Sequence, residues 1–302
     1  MKQYDVLCFG MTCCDLIFSG LSHIPAPEEE VASDRFVINA GGAANTALAL
    51  HRLGLTTMYV SQIGRDDAGK LVYERMKDLE LPLEGVFISE AAQTTVSAVL
   101  SLGDERAFAT CFSKGGQTEM LQKLRNFAPC ARHIHCFLWD ALTLPIAEIA
   151  QENGCTLSVD TAYCEDITRQ EFERVARSCD IFMINQDEAV RFTGANSSKQ
   201  AVNILAGLCS HLVVKLGREG SMSRIGQKAF FAPALSELTV MDSTGTGDNH
   251  SAGYLYAWMR GYASLDALRF ANASGALALS YYGGMDQTYT YSAVHQLYRR
   301  YV

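Results

Sequence analysis

The sequence predicts an α/β fold: a doubly wound, mostly parallel sheet flanked by helices, with a small β-sheet lid. Short apolar runs alternate with amphipathic stretches along the 302 residues. The apolar runs are continuous, as in parallel strands that are covered on both faces. Two segments, residues 16–38 and 93–112, break this rhythm and lack a helical period. Because no repeat or linker divides the chain, we expect residues 1–302 to form one domain.

The composition limits the classes of molecule that this protein is expected to bind. Hydrophobic residues make up 48% and charged residues 19%, as in an ordinary soluble globular protein. The net charge of −8 argues against a nucleic-acid partner, which needs clustered Lys and Arg. No apolar run reaches the roughly 20 residues that cross a bilayer, and the first residues offer no signal-peptide cleavage site. We therefore expect a cytoplasmic protein with no membrane partner.

The strands of the main sheet are expected at six apolar runs: "DVLCFG", "TMYVSQIG", "ARHIHCF", "TLSVD", "CDIFMIN" and "HLVVKLG". Helices are expected between them, at residues 43–53, 67–79, 143–153, 186–193 and 199–208. Gly54 follows the first helix and suits its C-terminal cap. This β-α-β rhythm favours right-handed crossovers.

The two irregular segments are expected to form the lid. The run "TTVSAVLSLGDERAFATCF" predicts a hairpin whose arms flank the turn "GDER". A few strands outside the main sheet indicate a small β-flap that projects from it. Arg106 lies at this hairpin and could reach a phosphate on the substrate, although an exposed turn residue is the simpler interpretation.

The chain contains ten cysteines, and one cluster resembles a metal site. Cys130, His133, His135 and Cys136 lie within "CARHIHC", where the two histidines would share one face of a strand. The run leads directly into "FLWD", and no second pair follows at zinc-finger spacing. We favour buried strand residues over a metal site, and reduced cysteines over disulfides.

Two glycine-rich segments resemble nucleotide motifs without meeting their requirements. "GRDDAGKL" has Leu71 where a P-loop needs a magnesium-binding hydroxyl, and its two aspartates would repel phosphates. It is expected to be a turn that starts a helix. "NAGGAANTALALHRLG" lacks the third glycine of a dinucleotide fingerprint. Gly41 and Gly42 would still let a ligand approach a helix N-terminus, and Asn45 could either cap or bind sugar hydroxyls.

The segment "DSTGTGDNH", residues 242–250, places small residues before a carboxylate. We expect a strand at "LTVMD" before it and a helix after it, because Ala252, Leu255, Tyr256 and Met259 form an apolar stripe. The glycines then lie at the N-terminus of that helix.

Unpaired amides of Gly245, Thr246 and Gly247 could there surround an oxyanion, supported by the helix dipole. Asp248 would stand beside the bound anion. Asp is common in a first helical turn, but a carboxylate that faces a phosphoryl group is useful as a base for an incoming hydroxyl.

These segments together resemble the ribokinase-like, phosphofructokinase-B family of small-molecule kinases over nearly the whole chain. The resemblance rests on five motifs in the family's order: "GGAANTALALHRLG", "QIGRDDAGK", "NQDE", "KLGREG" and "DSTGTGDNHSAGYLYA". It implies phosphoryl transfer from ATP, with Mg²⁺, to a hydroxyl of a sugar, nucleoside or related polyol.

The resemblance also implies a role for each matching residue. Asp248 would be the general base, and Gly245, Thr246 and Gly247 the anion hole. The sugar would be bound by Asp15, Gly41, Gly42 and Asn45. The nucleotide would be lined by Asn185, Lys215, Gly217, Gly220 and Asn272. Glu188 would organise Mg²⁺, mainly through water, and Asp242 and Thr244 resemble positions that bind a monovalent cation such as K⁺.

The chain departs from the family at His250, where an aromatic residue is usual. A packed, hydrogen-bonded histidine or an extra contact to substrate or nucleotide would each explain it. The lid would close over the sugar and would also pair subunits in a homodimer. Two other functions stay open: a nucleoside kinase of the same family, and a non-catalytic sensor of sugars or nucleotides. A nicotinamide dehydrogenase is excluded by the missing fingerprint.

Overall fold

The computed structural model describes residues 2–102, 105–162, 164, 167–235 and 240–301. Within them the strands are β1 (Tyr4–Phe9), β2 (Thr12–Ser19), β3 (Arg35–Gly42), β4 (Thr57–Gly64), β5 (Val86–Ser89), β6 (Thr95–Leu102), β7 (Glu105–Cys111), β8 (Ala131–Phe137), β9 (Thr156–Asp160), β10 (Ile181–Asn185), β11 (His211–Lys215), β12 (Gly220–Ile225) and β13 (Lys228–Pro233). The α-helices are α1 (Ala43–Arg52), α2 (Asp67–Asp78), α3 (Gln117–Phe127), α4 (Leu138–Thr143), α5 (Ile146–Glu152), α6 (Arg169–Ser178), α7 (Gln186–Thr193), α8 (Ser198–Ala206), α9 (Thr246–Met259), α10 (Ser264–Ala278) and α11 (Tyr291–Tyr298).

The larger sheet has nine strands in the order β13-β12-β11-β10-β9-β8-β1-β4-β5. In this order, all strands from β11 through β10, β9, β8, β1 and β4 to β5 pair in parallel with their neighbours. Strands β12 and β13 add an antiparallel edge next to β11. Helices cover both faces. Along β1, Val6 and Cys8 pack into one hydrophobic cluster, while Leu7 and Phe9 pack into the other. Burial on both faces explains why the parallel strands are continuous apolar runs.

The smaller sheet has four strands in the order β3-β2-β6-β7. The expected hairpin is confirmed by the antiparallel pairing of β6 with β7, although residues 103–104 of its turn lie outside the described residues. The segment 16–38 is only partly strand, because β2 begins earlier, β3 ends later and residues 20–34 between them contain no strand. Buried and partly exposed residues alternate along β6, as expected when one face is covered.

The helix expected at 143–153 is wrong at its start. Leu144 is extended, Pro145 precedes α5, and a separate short helix, α4, ends at Thr143. A residue before proline is driven away from helical angles, so a helix could not run through this point.

The strand expected at "LTVMD" is not observed over residues 240–242, and Leu238 and Thr239 lie outside the described residues. The amides of Met241 and Asp242 instead donate to the Leu279 carbonyl, just after α10. Helix α9 is also more buried than a single apolar stripe predicts. Residues 249–257 are all buried, because α9 packs against the sheet, α1 and α10.

The P-loop-like segment is a turn that starts a helix, as expected. Asp66 is the N-cap of α2 and accepts a bond from the Gly69 amide at 2.7 Å. None of the described helices is long and apolar enough to cross a membrane.

Candidate active site

Several polar side chains lie at one edge of the larger sheet. Asp160, Asn185 and Lys215 are the last residues of β9, β10 and β11, and Asp140 follows β8 by three residues. Since these strands are parallel, their carboxyl ends meet at the same edge. Ligands of open α/β sheets bind outside this edge.

The glycine-rich turn predicted as an anion hole lies at the N-terminus of α9, and one of its three amides is bonded within the turn. Gly245 has φ +73° and is the N-cap of α9, so the helix begins at Thr246. The Thr246 amide donates to the Ser243 carbonyl at 3.3 Å, which closes the turn. Gly247 lies in the first helical turn, where amides have no acceptor within the helix. The amides of this turn therefore lie at the positive end of the helix dipole, near the carboxyl end of the sheet.

Asp248 lies in the same first turn, and its Oδ2 accepts a hydrogen bond from Asn45 Nδ2 at 3.1 Å. The carboxylate is surrounded by protein, and this desolvation, followed by the charge of Asp160, raises its pKa to about 7. Lys215 and the Asn45 amide lower the pKa and so oppose that shift. A group that gains and loses a proton near neutral pH suits a general base.

Asp15 on β2 and Gly41 on β3 are diagonal neighbours in the smaller sheet, where Asp15 is opposite Asn39 and Gly41 is opposite Cys13. Asp15 is 8% exposed, and burial raises its pKa to about 6, although a hydrogen bond from Cys13 opposes the shift. A methyl group on Gly41 would lie 1.9 Å from Asp15 Oδ2. The carboxylate can occupy its place only because residue 41 is glycine. Asp15 is close enough to Asp248 for its charge to contribute, as the smallest of the causes, to the raised pKa of Asp248.

Gly42 is the last residue of β3, and Asp140 follows the end of β8 by three residues. Gly42 has φ +63°, and a methyl group on it would lie 2.4 Å from the Met11 carbonyl oxygen. Asp140 was not singled out from the sequence, yet burial raises its pKa to about 7. Asp140 lies close to the residue that follows β1, because a methyl group on Gly10 would be 3.2 Å from Asp140 Oδ2. The position of Asp140 shortly after a predicted strand was the signal that the sequence offered for this residue.

Lys215 forms a buried ion pair that the sequence did not reveal. Its Nζ donates to both oxygens of Asp160 at 2.8 Å and to Ser251 Oγ at 3.3 Å. Ser251 Oγ in turn donates to Asp160 Oδ2 at 2.6 Å. A methyl group on Gly247 would lie 3.6 Å from Nζ, so the ammonium group is adjacent to the glycine-rich turn.

Asn185 and Glu188 form a capping box at the start of α7. The Glu188 amide donates to Asn185 Oδ1 at 2.8 Å, and the Asn185 amide donates to Glu188 Oε2 at 3.2 Å. Thr161 Oγ1 also donates to Glu188 Oε2. Both residues thus have a structural role, which does not test the predicted roles in nucleotide and magnesium binding.

Gly217, Gly220 and Asn272 lie around the β11–β12 turn and α10. Gly220 has φ +111°, and a methyl group there would lie 2.2 Å from the Ala232 carbonyl oxygen, while the equivalent position at Gly217 is open. Asn272 Oδ1 accepts from Ser221, and its Nδ2 donates to the Ala232 and Pro233 carbonyls. The amide is therefore used within the protein, and its contact with adenine stays a prediction.

Asp242 and Arg106 connect the smaller sheet to the glycine-rich turn. Asp242 accepts bonds from Ser101 on β6, from the Thr244 amide and hydroxyl, and from the Gly283 amide. Arg106 Nη1 donates to the Ser243 carbonyl at 2.6 Å. The simpler interpretation of Arg106 as a turn residue is therefore incomplete, because the side chain contacts the loop that leads to Asp248.

His250 does not have the hydrogen bonds expected of a packed histidine. It is 6% exposed, and neither ring nitrogen meets hydrogen-bond geometry with a described residue. Burial and the nearby charge of Lys215 lower its pKa to about 3, with the Asn272 side chain opposing the shift. The imidazole is therefore neutral and lies between Lys215 and Asn272.

His133, His135 and Cys136 of the cluster in "CARHIHC" lie in β8, as favoured from the sequence, and Cys130 ends a short 3-10 helix just before it. The ring nitrogens of His133 contact Thr156 and Ser158, and His135 Nδ1 contacts Ser158 at 2.7 Å. His135 Nε2 has no hydrogen-bond partner among the described residues. Within the ranges that the structure describes, no group of three or more His, Cys, Asp or Glu could hold a metal ion.

Solved structures share this fold over almost the full chain. The Arabidopsis thaliana ribokinase complexed with ribose and ATP has a TM-score of 0.79 and 22% identity, covering 98% of this chain and 99% of that chain. A Burkholderia thailandensis nucleoside kinase in complex with inosine has a TM-score of 0.78 and 21% identity, covering 98% and 96%. At these identities the likeness shows a ribokinase-like fold.

Sequence comparison gives the family. A nucleoside kinase of Methanothermobacter thermautotrophicus is 29% identical over 286 residues, covering 90% of this chain and 88% of that protein. The model of the pfkB family carbohydrate kinases matches residues 3–290. This match includes both sheets, the glycine-rich turn and Asp248, and the chain therefore belongs to the pfkB family of carbohydrate kinases.

Proposed function

We propose that this kinase transfers the γ-phosphoryl group of ATP to a hydroxyl of a sugar or sugar derivative, with Asp248 as the general base. The observation that carries the proposal is the position of Asp248, next to the Gly245–Gly247 turn and bonded to Asn45. In this proposal the base and the anion hole meet at one helix N-terminus.

The acceptor would bind between the two sheets. Asp15 supplies a carboxylate for two neighbouring hydroxyls, and Asn45 holds Asp248 in place on the other side. Asp248 takes the proton of the reacting hydroxyl, while the oxygen of that hydroxyl forms a bond to the γ-phosphorus. The bond from that phosphorus to the β–γ bridging oxygen breaks, and ADP leaves with the electron pair. The amides of Gly245, Thr246 and Gly247 would donate hydrogen bonds to the phosphoryl oxygens, with the Thr246 amide exchanging its bond to the Ser243 carbonyl for one of them.

Asn185, Lys215, Gly217, Gly220 and Asn272 line the side on which the nucleotide would bind. Glu188 fits Mg²⁺, because this ion is usually held by one or two carboxylates together with substrate phosphates and water. Thr161 and the Asn185 amide bond only to Oε2 of Glu188, so its second oxygen is the candidate that faces the ion's water shell. When bound, Mg²⁺ would neutralise phosphate charge.

Hydrogen bonds within the protein already occupy much of the site predicted for a monovalent cation. Its carboxylate accepts four hydrogen bonds, from Ser101, from the amide and hydroxyl of Thr244, and from Gly283. Three of these bonds are to Oδ1 and one is to Oδ2, so only Oδ2 keeps a lone pair that a cation could use. Asp242 and Thr244 also tie the smaller sheet to the loop before Asp248, and we assign no step to K⁺.

The smaller sheet would act as a lid and as a dimer surface. Arg106 and Ser101 already attach it to the loop before Asp248, so closure over the acceptor would exclude water from the site. Phe36 and Phe108 are 51% and 56% exposed on this sheet, which supports pairing with a second copy. Sedimentation of the wild-type protein and of Phe108→Ser tests the dimer, and a monomeric wild type would contradict it.

The experiment that tests the function measures ADP release across pentoses, hexoses, sugar acids and nucleosides, with Asp248→Asn as the inactive control. We expect one acceptor class to support turnover that Asp248→Asn lowers by several orders of magnitude. Turnover that survives this substitution would contradict the role of Asp248.

A nucleoside acceptor is the second candidate, because the relative from Methanothermobacter thermautotrophicus is a nucleoside kinase. The same panel decides between the two: turnover with nucleosides and not with free sugars favours it. Binding of sugars or nucleotides without turnover of any acceptor would instead indicate a sensor.

A further inference from the structure

We infer that Lys215 is the fixed cation for the phosphoryl group in transfer, and that Asp160 and Ser251 are positioning residues that hold it beside the Gly245–Gly247 turn. The inference rests on the proposed function. In this inference Lys215 binds the phosphoryl group that is transferred rather than the phosphates that remain on ADP. Asp160 and Ser251 then have the function of holding Lys215 in place.

The hydrogen bonds around Lys215 fix its ammonium group in one place. A lysine has three donors. Two of them bond the oxygens of Asp160 at 2.8 Å each, and the third bonds Ser251 Oγ at 3.3 Å. Asp160 and Ser251 are fully buried. Because Ser251 also donates to Asp160 at 2.6 Å, the three groups form a closed ring of hydrogen bonds.

The ring lies next to the anion hole. A methyl group on Gly247 would be 3.6 Å from Nζ, so a phosphoryl oxygen bound by the amides of this turn would come into reach of the ammonium group. The Ser251 contact is the longest of the three, and a phosphoryl oxygen could replace it while both bonds to Asp160 remain. Lys215 then needs no rearrangement when charge develops.

The charges around Lys215 keep it protonated. Burial alone would lower its pKa, but the carboxylates of Asp160, Glu188 and Asp248 more than offset burial and raise the pKa above its usual value. Asp160 in turn raises the pKa of Asp248, while Lys215 lowers it. Lys215 therefore places its own positive charge next to the turn, and the two partners have opposing effects on the pKa of Asp248.

In the transfer step, the acceptor hydroxyl gives its proton to Asp248 and its oxygen bonds to the γ-phosphorus, while the bond to the bridging oxygen of ADP breaks. Lys215 gains and loses no proton. Its charge balances that of the three oxygens on the transferring group, together with the amides of the turn. Loss of this charge should therefore lower kcat more than it weakens ADP binding.

The test compares Lys215→Met, Asp160→Asn and the Lys215→Met/Asp160→Asn double variant. Either single variant leaves one buried charge without its partner and could fail to fold, whereas the double variant removes both. Thermal unfolding establishes which variants are folded. Asp180→Asn is the matched control, since Asp180 precedes the opposite end of β10 and accepts a bond from the Leu157 amide.

We expect the double variant to lose about 10²- to 10³-fold in kcat, as for removal of one anion-hole donor, with little change in the ADP dissociation constant. The acid limb of the pH–rate profile should move to lower pH in Asp160→Asn and to higher pH in Lys215→Met. These shifts report that both charges are close to Asp248, whereas a loss of kcat without a matching loss of ADP binding distinguishes a role in transfer from a purely structural one. If the folded double variant keeps kcat within about tenfold of wild type, the inference is wrong.

If the wild-type protein turns over no acceptor, the proposed function is wrong. The inference about Lys215 is then tested by measuring binding. Calorimetry then compares ADP with ADP plus aluminium fluoride, which mimics the transferring phosphoryl group. The wild type should bind the mimic more tightly and the folded double variant should lose that preference. Equal preference in both proteins, or none in the wild type, would overturn the inference.

Discussion

Gly41→Ala tests the assignment of the acceptor site most directly. The new methyl group would lie 1.9 Å from Asp15 Oδ2 and 2.4 Å from its Cγ. Van der Waals contact begins at about 3.5 Å, so the carboxylate would have to move by about 1.5 Å. Asp15 is on β2, which is paired with β3 on one side and β6 on the other, so the carboxylate and not the strand would move.

The size of the effect follows from the bonds that Asp15 would make. A hydrogen bond to a charged group contributes about 1.5–3 kcal/mol, and Asp15 would make two to the acceptor. Their loss of about 3–6 kcal/mol predicts a fall of about 10²- to 10⁴-fold in kcat/KM for the acceptor. The dissociation constant of ATP, which would bind at another part of the sheet edge, should change little.

Steady-state kinetics with varied acceptor and calorimetry with ATP measure these two quantities. Gly207→Ala is the matched control, since Gly207 has a negative φ and its nearest neighbours are carbonyls of its own helix. In an Asp15→Ala background the Gly41→Ala substitution should lower kcat/KM little further, because the carboxylate that it displaces has already been removed. A folded Gly41→Ala protein with normal kcat/KM would refute the assignment of Asp15.

Three further predictions follow from the pKa values and contacts of the site. The kcat/KM should fall as the pH drops below about 7, because Asp248 and Asp15, with pKa values of about 7 and 6, must be ionised; a flat pH–rate profile there would contradict this. Arg106→Ala should lower kcat/KM about 5- to 30-fold through loss of its bond to Ser243, whereas Arg106→Lys should retain part of it, as steady-state kinetics can show. His250→Phe should raise the free energy of unfolding in urea by about 1–3 kcal/mol, because it removes two desolvated nitrogens; a fall would mean that the imidazole has a partner.

Signals confined to a few neighbouring residues were sufficient for most of the larger sheet. Continuous apolar runs predicted the parallel strands, and Gly54, with φ +95°, follows the end of α1 as expected. Local signals failed where a nearby residue was overlooked, as with Pro145 at the start of α5. They also failed at Val240–Asp242, where an apolar run bonds to the end of α10 instead of joining a sheet.

The sequence by itself determined the family, the glycine-rich turn and the position of Asp248 in a first helical turn. Each depends on the order of residues within one short segment, and local backbone geometry follows from that order. A helix dipole and free amides come with any such turn, so the candidate base and anion hole could be predicted without coordinates.

Only the tertiary structure decided which distant groups meet at this turn. Asp160 and Lys215 lie 55 positions apart, and Arg106 and Ser243 lie 137 apart, yet each pair is in hydrogen-bond contact. Their contact depends on strand order and on how the smaller sheet packs against the larger one. The protonation of Asp248 depends on the same packing, because burial and the charges of Asp160 and Lys215 set its pKa, and neither burial nor charge proximity is a property of a local segment.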